Sequence, residues 1–208
     1  LSGTKNRDWE DITIGLGADA RSYIYVGDIG DNGAVHESKF IYRVEEPKIG
    51  DGVTDTTLNN VDKIEFKFSD GARDAEALMM DPVSKNFYVF SKRESRVNLY
   101  TLSGSLSTTE VMIAERVAEK LPFSFIVAAN ISEDGSEILA KNYASVFYWK
   151  RLSGESVEDA IKRAPETLPY AQEPQGESIA FDLNGTGYYT ISERKKKTEQ
   201  HLYFYKRN

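Results

Sequence analysis

The sequence predicts an all-β protein built from a repeated unit, and three observations carry that prediction. Four segments share one outline: Trp9-Glu10-Asp11-Ile12, Ala75-Glu76-Ala77-Leu78, Val127-Ala128-Ala129-Asn130 and Gly176-Glu177-Ser178-Ile179, each opening a short apolar run. With Glu10, Glu76, Val127 and Glu177 as the shared position, the steps are 66, 51 and 50 residues, a spacing that belongs to repeat architectures. Between these openings lie short stretches rich in Tyr, Val and Ile, separated by Asp, Asn and Gly turn signals, as strands and hairpins require. Together they predict a β-propeller of about four visible four-stranded blades, or five should an N-terminal blade precede residue 1. The whole of 1–208 is read as a single domain with one short helix near 156–163.

The elements follow in order. The polar segment 1–8 turns into a first inner strand at 10–14, and its place before that strand suits an outermost strand that completes the last blade. Tyr23-Ile24-Tyr25-Val26 and Phe40-Ile41-Tyr42-Arg43-Val44 are strands by their β-branched and aromatic content. The glycine- and Asx-rich loop 27–33 parts them. Lys63-Ile64-Glu65-Phe66-Lys67-Phe68 alternates strictly and reads as a half-exposed outer strand. The second unit repeats this plan with strands at 76–80, 87–90, 98–102 and 111–117, where the last fits helix or strand and its alternation favours strand. The third has strands at 126–131, 138–140 and 146–149. Ser156-Val157-Glu158-Asp159 then resembles a capping box opening a short helix, which Pro165 ends. The last unit has strands at 177–181, 188–191 and 202–205 and no outermost strand of its own. The recurring Tyr25, Tyr42, Tyr88, Tyr100, Tyr148, Tyr189 and Tyr203 read as packing between blades, hydroxyls at the edge.

Composition narrows function by exclusion. The net charge of −7 argues against nucleic acid as the main partner, since no basic surplus exists to displace counterions from phosphates. Cysteine is absent, which excludes disulfides, thiolate metal sites and thiol catalysis. No apolar run approaches the roughly 18 to 20 residues that span a bilayer. His36 and His201 are the only histidines and lack metal-ligand spacing, so a zinc site is not expected. There is no Gly-x-Ser-x-Gly elbow, dinucleotide fingerprint or P-loop. Lys195-Lys196-Lys197 reads as a solvated hairpin tip, with attraction of a phosphate or sulfate as the alternative.

The acidic positions carry the chemistry. Antiparallel pairing of first and second strands puts Glu10 near Asp28, Glu76 near Ser91 and Lys92, Val127 near Lys141 and Asn142, and Glu177 near Ser192 and Glu193, all at one channel mouth. Carboxylates crowded there repel unless protonated, paired with Lys92, Arg93, Lys141 or Arg194, or bridged by a cation. Calcium suits such a site because it takes six to eight oxygen ligands in flexible geometry. Glu10, Asp28, Glu76 and Glu177 are the candidate metal ligands. Against this stand inter-blade ion pairs alone, or scattered surface acids. Asp31 and Asn32 read as turn formers ahead of ligands.

Asn6-Arg7-Asp8-Trp9-Glu10-Asp11-Ile12, Gly27-Asp28-Ile29-Gly30-Asp31-Asn32, Ile41-Tyr42-Arg43-Val44-Glu45-Glu46-Pro47, Ile131-Ser132-Glu133-Asp134-Gly135 and Gln175-Gly176-Glu177-Ser178-Ile179 occur in this order along nearly the whole chain. The set resembles a family of poorly characterised, often secreted β-propeller-like proteins. That resemblance implies a propeller, an extracytoplasmic location and little chemistry. Three functions are therefore weighed. The first is a calcium-stabilised binding or scaffold module taking a small molecule, protein or glycan at the mouth. The second is a calcium-dependent hydrolase of lactonase or phosphoesterase type, with Glu193 as a possible base. The third is a metal-free interaction domain in which Lys92 and Lys141 pair with the acids.

Overall fold

A computed structural model describes residues 1–194 and 199–207, so Lys195, Lys196 and Lys197 lie outside the described residues. The fold is all-β with one short helix and consists of successive antiparallel meanders. The first contains β1 (Trp9–Leu16), β2 (Ser22–Asp28), β3 (Ser38–Glu45) and β4 (Asp62–Phe68). The second contains β5 (Ala75–Met80), β6 (Phe87–Ser91), β7 (Leu99–Leu102) and β8 (Met112–Ala118). The third contains β9 (Ala128–Ile131), β10 (Glu137–Lys141), β11 (Val146–Lys150) and β12 (Glu166–Leu168). The last is a three-stranded sheet of β13 (Gly176–Phe181), β14 (Gly187–Ser192) and β15 (Tyr203–Lys206). The first strands stand side by side, β1 against β5, β5 against β9 and β9 against β13.

Local pattern explains most of this. Alternation in β4 buries Ile64, Phe66 and Phe68 and leaves Lys63 in solvent, the period-2 signature of a half-buried strand. Residues 111–117, open to either reading, form β8. All residues of β5 and β6 are buried, because that sheet is packed on both faces. One core lies between the first two meanders and includes Tyr25, Ile41, Phe66, Leu78, Phe87 and Tyr100. A second lies between the next two, where Met79, Phe90, Ile138 and Trp149 meet the helix α1 (Val157–Lys162) through Val157, Ala160 and Ile161. A third joins Leu139 and Val146 to Ile179 and Tyr188. The Ser156 side chain caps α1 by accepting from the Asp159 backbone N–H.

Three features depart from the expectation. β4 pairs in parallel with β8 through Phe66↔Met112, Lys67↔Ile113 and Phe68↔Ala114, so the first two meanders form one eight-stranded sheet. β12, bracketed by Pro165 and Pro169, is a strand that the sequence reading left out. Residues 1–8 form no strand on the last sheet but dock on the first meander: Ser2 donates to the Leu58 carbonyl at 2.8 Å, Arg7 to that of Ser38 at 3.1 Å, and the Tyr42 hydroxyl to that of Lys5 at 3.1 Å. No helix among the described residues is long and apolar enough to cross a membrane.

Candidate functional site

The glutamates share a backbone device. Cα pairing passes from Trp9↔Asp28 to Asp11↔Gly27, from Ala75↔Ser91 to Ala77↔Phe90, and from Gly176↔Ser192 to Ser178↔Ile191. Glu10, Glu76 and Glu177 are thus each the unpaired residue of a β-bulge. A bulge bends its strand and re-aims the extra side chain, here toward the line where the first strands converge. In the third meander Val127 donates to the Lys141 carbonyl at 2.9 Å while Ala128 pairs with Lys141, so two residues again oppose one, with no carboxylate to project.

The three glutamates meet in an open, polar cleft of about 670 Å³. Its walls include Asp8, Trp9, Lys92, Tyr143 and Glu193. Glu76 forms a buried ion pair with Lys92. The Lys92 ammonium also donates to the Tyr143 hydroxyl at 3.0 Å, and Tyr143 donates to Glu177 at 2.6 Å. Glu76–Lys92–Tyr143–Glu177 therefore runs as one hydrogen-bonded chain across the second, third and last meanders. Asp8 and Glu10 converge over Gly30, where an added Cβ would collide with a carboxylate oxygen of each.

Crowding and burial tune these acids. Burial, then the nearby charges of Glu76 and Asp8, push Glu10 up to about 9. Burial raises Glu76 to about 7 against the pull of Lys92. Glu177 is also raised, by burial first and by its contact with Glu193, while Tyr143 opposes the shift. Asp8 is raised by burial and by the charges of Asp74 and Asp28. At neutral pH the cleft consequently holds protons that isolated carboxylates would have lost.

Asp28 does not join the cluster. The register sets it opposite Trp9, and it is buried, with Oδ1 accepting from the Asp8 backbone N–H at 2.7 Å and Oδ2 without a partner. Glu193 reaches the cleft wall beside Glu177. Asp31 serves its loop: it accepts from the Val35 and His36 N–H groups and pairs with the buried Lys39 at 2.8 Å. Asp74 accepts from Arg93 at 2.6 Å and from the Asp31 N–H at 2.7 Å. Both histidines are exposed. Among the described residues no three His, Cys, Asp or Glu side chains are grouped so as to hold a metal ion.

Three further groups, Tyr143, Asp11 and Glu173, escaped the sequence reading, and Lys141 takes partners other than those expected of it. Tyr143 sits in the β10–β11 turn, where spacing carries no signal of its direction. Asp11 is a buried carboxyl on β1 that accepts from the backbone N–H of Leu78 at 2.9 Å and of Ala129 at 3.4 Å, tying β1 to β5 and β9. Burial pushes it up to about 8 against those bonds. Lys141 donates to the Gly176 carbonyl, and to the Tyr170 hydroxyl at 3.1 Å, in place of pairing with a mouth acid. Burial lowers it to about 8, while Glu173 and Glu177 oppose the shift. Glu173, also buried, accepts from the Thr190 hydroxyl and leaves Oε2 without a partner.

The geometry defines an all-β protein with an acidic, proton-laden cleft at the junction of its first strands. No family model and no curated protein matches this sequence. Among solved structures, the chain is similar to hydrazine synthase of Kuenenia stuttgartiensis at 12% identity and a TM-score of 0.48, covering 99% of this chain and 49% of that one. It is likewise similar to a periplasmic gluconolactonase of Pseudomonas aeruginosa at 12% identity and a TM-score of 0.48, covering 94% of this chain and 56% of that one. The chain thus spans about half the length of these two proteins.

Proposed function

We propose that the meanders are blades of a propeller and that the chain is a binding module whose acidic mouth exchanges protons for a cationic ligand. The observation that carries this reading is the convergence of the bulge glutamates, with Glu10 raised to about 9 and Glu76 to about 7. A positive charge placed among these carboxylates relieves their mutual repulsion and releases their protons. Affinity therefore rises with pH, by up to about tenfold per unit for each proton displaced.

Two cations supply that chemistry, a hard divalent ion such as calcium and a protonated amine. Oxygen donors suit calcium, and Glu76 Oε2 is buried without a partner. Even so, Lys92 already occupies Glu76, and among the described residues no three acids are grouped closely enough to hold one ion, so the side chains at rest do not fit a calcium cage. A cleft of about 670 Å³ falls within the roughly 300–1,000 Å³ of small-molecule sites, which favours an amine-bearing ligand.

Titration calorimetry with calcium in one arm and putrescine in the other, each in two buffers of different ionisation heat, tests the proposal. Binding with buffer-dependent heat, lost in Glu10→Gln/Glu177→Gln, is the expected result. Absence of binding heat in both arms, or heat unaffected by buffer and variant, rejects it.

A second reading has its own observation. Glu10, pushed up to about 9 by burial and by the charges of Glu76 and Asp8, lines the same cleft as a second carboxyl, Glu193, and two carboxyls in one site are the usual makings of general acid–base chemistry. Hydrolysis of a lactone or phosphate ester would use Glu10 as proton donor and Glu193 as base. Turnover of such esters by the wild type and not by Glu10→Gln distinguishes this reading from simple binding.

A further inference from the structure

The third meander breaks the acidic pattern of the cleft at two places in its repeat. Where the others carry a bulge glutamate it has Val127, which is buried. Two residues earlier, where the first, second and last meanders have Asp8, Asp74 and Gln175, it has Phe125. Phe125 is 43% exposed and lines the cleft together with Tyr143 of the same meander. Because β9 stands between β5 and β13, these two rings form an aromatic sector flanked on both sides by acidic ones.

The backbone is strained where it presents Phe125. A φ of 54° lies in the left-handed region, which suits Gly or Asn and is an outlier for a bulky side chain. Anchors on either side impose it. Phe123 is buried, its ring 4.7 Å from that of Phe147 and 5.6 Å from that of Trp149, centroid to centroid, and its carbonyl accepts from the Val97 N–H at 3.0 Å. Ile126 is buried in the same core, and the Val127 N–H donates to the Lys141 carbonyl at 2.9 Å. Between them the chain holds a large ring in the cleft wall, at a position where a small polar residue would relieve the strain. A strained residue kept at a cleft points from geometry to function.

A ligand that matches such a cleft has two unlike ends. At the acidic end, Glu76 Oε2 is a buried acceptor without a partner. The Lys92 ammonium, 5.3 Å from the centroid of the Tyr143 ring, already sets a cation against an aromatic face in the same cleft. We propose that the cleft takes an arylalkylammonium ion, its charged head among Glu10, Glu76 and Glu177 and its ring against Phe125. Contact between two rings, added to the apolar area it removes from water, is worth about tenfold in affinity over an amine of the same charge without a ring. This inference rests on the reading of the cleft as a cation site and adds the residue that selects the ligand.

Titration calorimetry with phenylethylamine, ethylamine and putrescine, on the wild type and on Phe125→Asn, tests it. Asparagine accepts the left-handed backbone and removes the ring from an exposed position, so this variant is expected to melt no lower than the wild type. The wild type is expected to bind phenylethylamine about tenfold more tightly than ethylamine. Phe125→Asn is expected to bind the two monoamines alike and putrescine as the wild type does. Equal wild-type affinities for the two monoamines, with putrescine still bound, overturn the proposal and leave the cation site standing. Binding of no amine at all overturns both. A preference for phenylethylamine that survives in Phe125→Asn also overturns it, and a lowered melting temperature in that variant then assigns Phe125 to packing alone.

Discussion

Tyr143 and Glu177 are joined by a 2.6 Å hydrogen bond in which the phenol donates, while the same hydroxyl accepts from Lys92 at 3.0 Å. One residue of a turn thus connects the ion pair of the second meander to the carboxyl of the last. Tyr143→Phe removes both bonds and keeps the ring. A net loss of about 1–2 kcal/mol is expected, read as a lower urea midpoint with an unchanged slope. Glu177 loses the donor that holds its pKa down, so its titration, followed by NMR, moves to higher pH.

Lys92 is buried against Glu76, and removing one partner of a buried pair ordinarily costs about 3–5 kcal/mol. Here the carboxyl has a way out, because burial already brings Glu76 to about 7. In Lys92→Met its folded pKa rises further above the ordinary value, and a group raised in the folded state stabilises less as pH climbs. Lys92→Met is therefore expected to lose little near pH 5 and close to the full amount above pH 8. Adding Glu76→Gln should recover most of the loss at high pH. A loss that is the same at both pH values contradicts this account.

Glu10 predicts a gain. Its folded pKa of about 9, against an ordinary 4.5, means that the native state keeps a proton that the unfolded chain releases throughout that window. Stability contributed by this group is complete below about 4.5 and declines as pH rises toward 9. Glu10→Gln lacks the decline. Thermal melts should coincide with the wild type near pH 4, and at about pH 8 the variant should melt higher. Equal melting temperatures at both pH values would show that Glu10 is not held protonated.

Strand positions are legible in this sequence because packing imposes them residue by residue. The alternation in β4 and the apolar runs of β5 and β6 leave no other way to bury these side chains. The β4–β8 pairing is not legible, since which outer strands meet depends on how long linkers lie over the sheets. β12 is only Glu166–Leu168 between two prolines, too short for any period. At the site, Glu10, Glu76 and Glu177 were readable as a shared place in the repeat, and Glu193 as their neighbour. Asp28 was misplaced for a definite reason. Regular antiparallel pairing sets Glu10 beside it, but the bulge shifts that register by one residue, so that Trp9 faces Asp28 and Glu10 is freed. The same shift turns Asp11 inward, where nothing in a Glu-Asp-Ile sequence announces a buried carboxyl.

Asp11 supplies the sharpest test of how the first strands are held. One of its oxygens accepts from Leu78 on β5 and from Ala129 on β9, the other from its neighbour Ile12 at 2.8 Å. A single side chain of β1 thus satisfies amides on two other meanders, and Asn130 does the same for the Phe181 N–H of β13 at 3.1 Å. Asp11→Leu fills the space but leaves those amides buried without acceptors, at about 1–3 kcal/mol each. Asp11→Asn keeps an acceptor oxygen for Leu78 and Ala129 and cannot ionise. Because burial raises Asp11 to about 8 from an ordinary 3.8, wild-type stability from this group falls as pH increases across that window. The Asn variant should be less stable than the wild type near pH 5, where its amide nitrogen meets the Ile12 N–H, and should narrow or reverse the gap above pH 8. Hydrogen exchange at Leu78 and Ala129 gives the local readout. Both amides are expected to lose protection in Asp11→Leu and retain it in Asp11→Asn, and unchanged protection in the Leu variant would show that these strands are held by apolar packing alone.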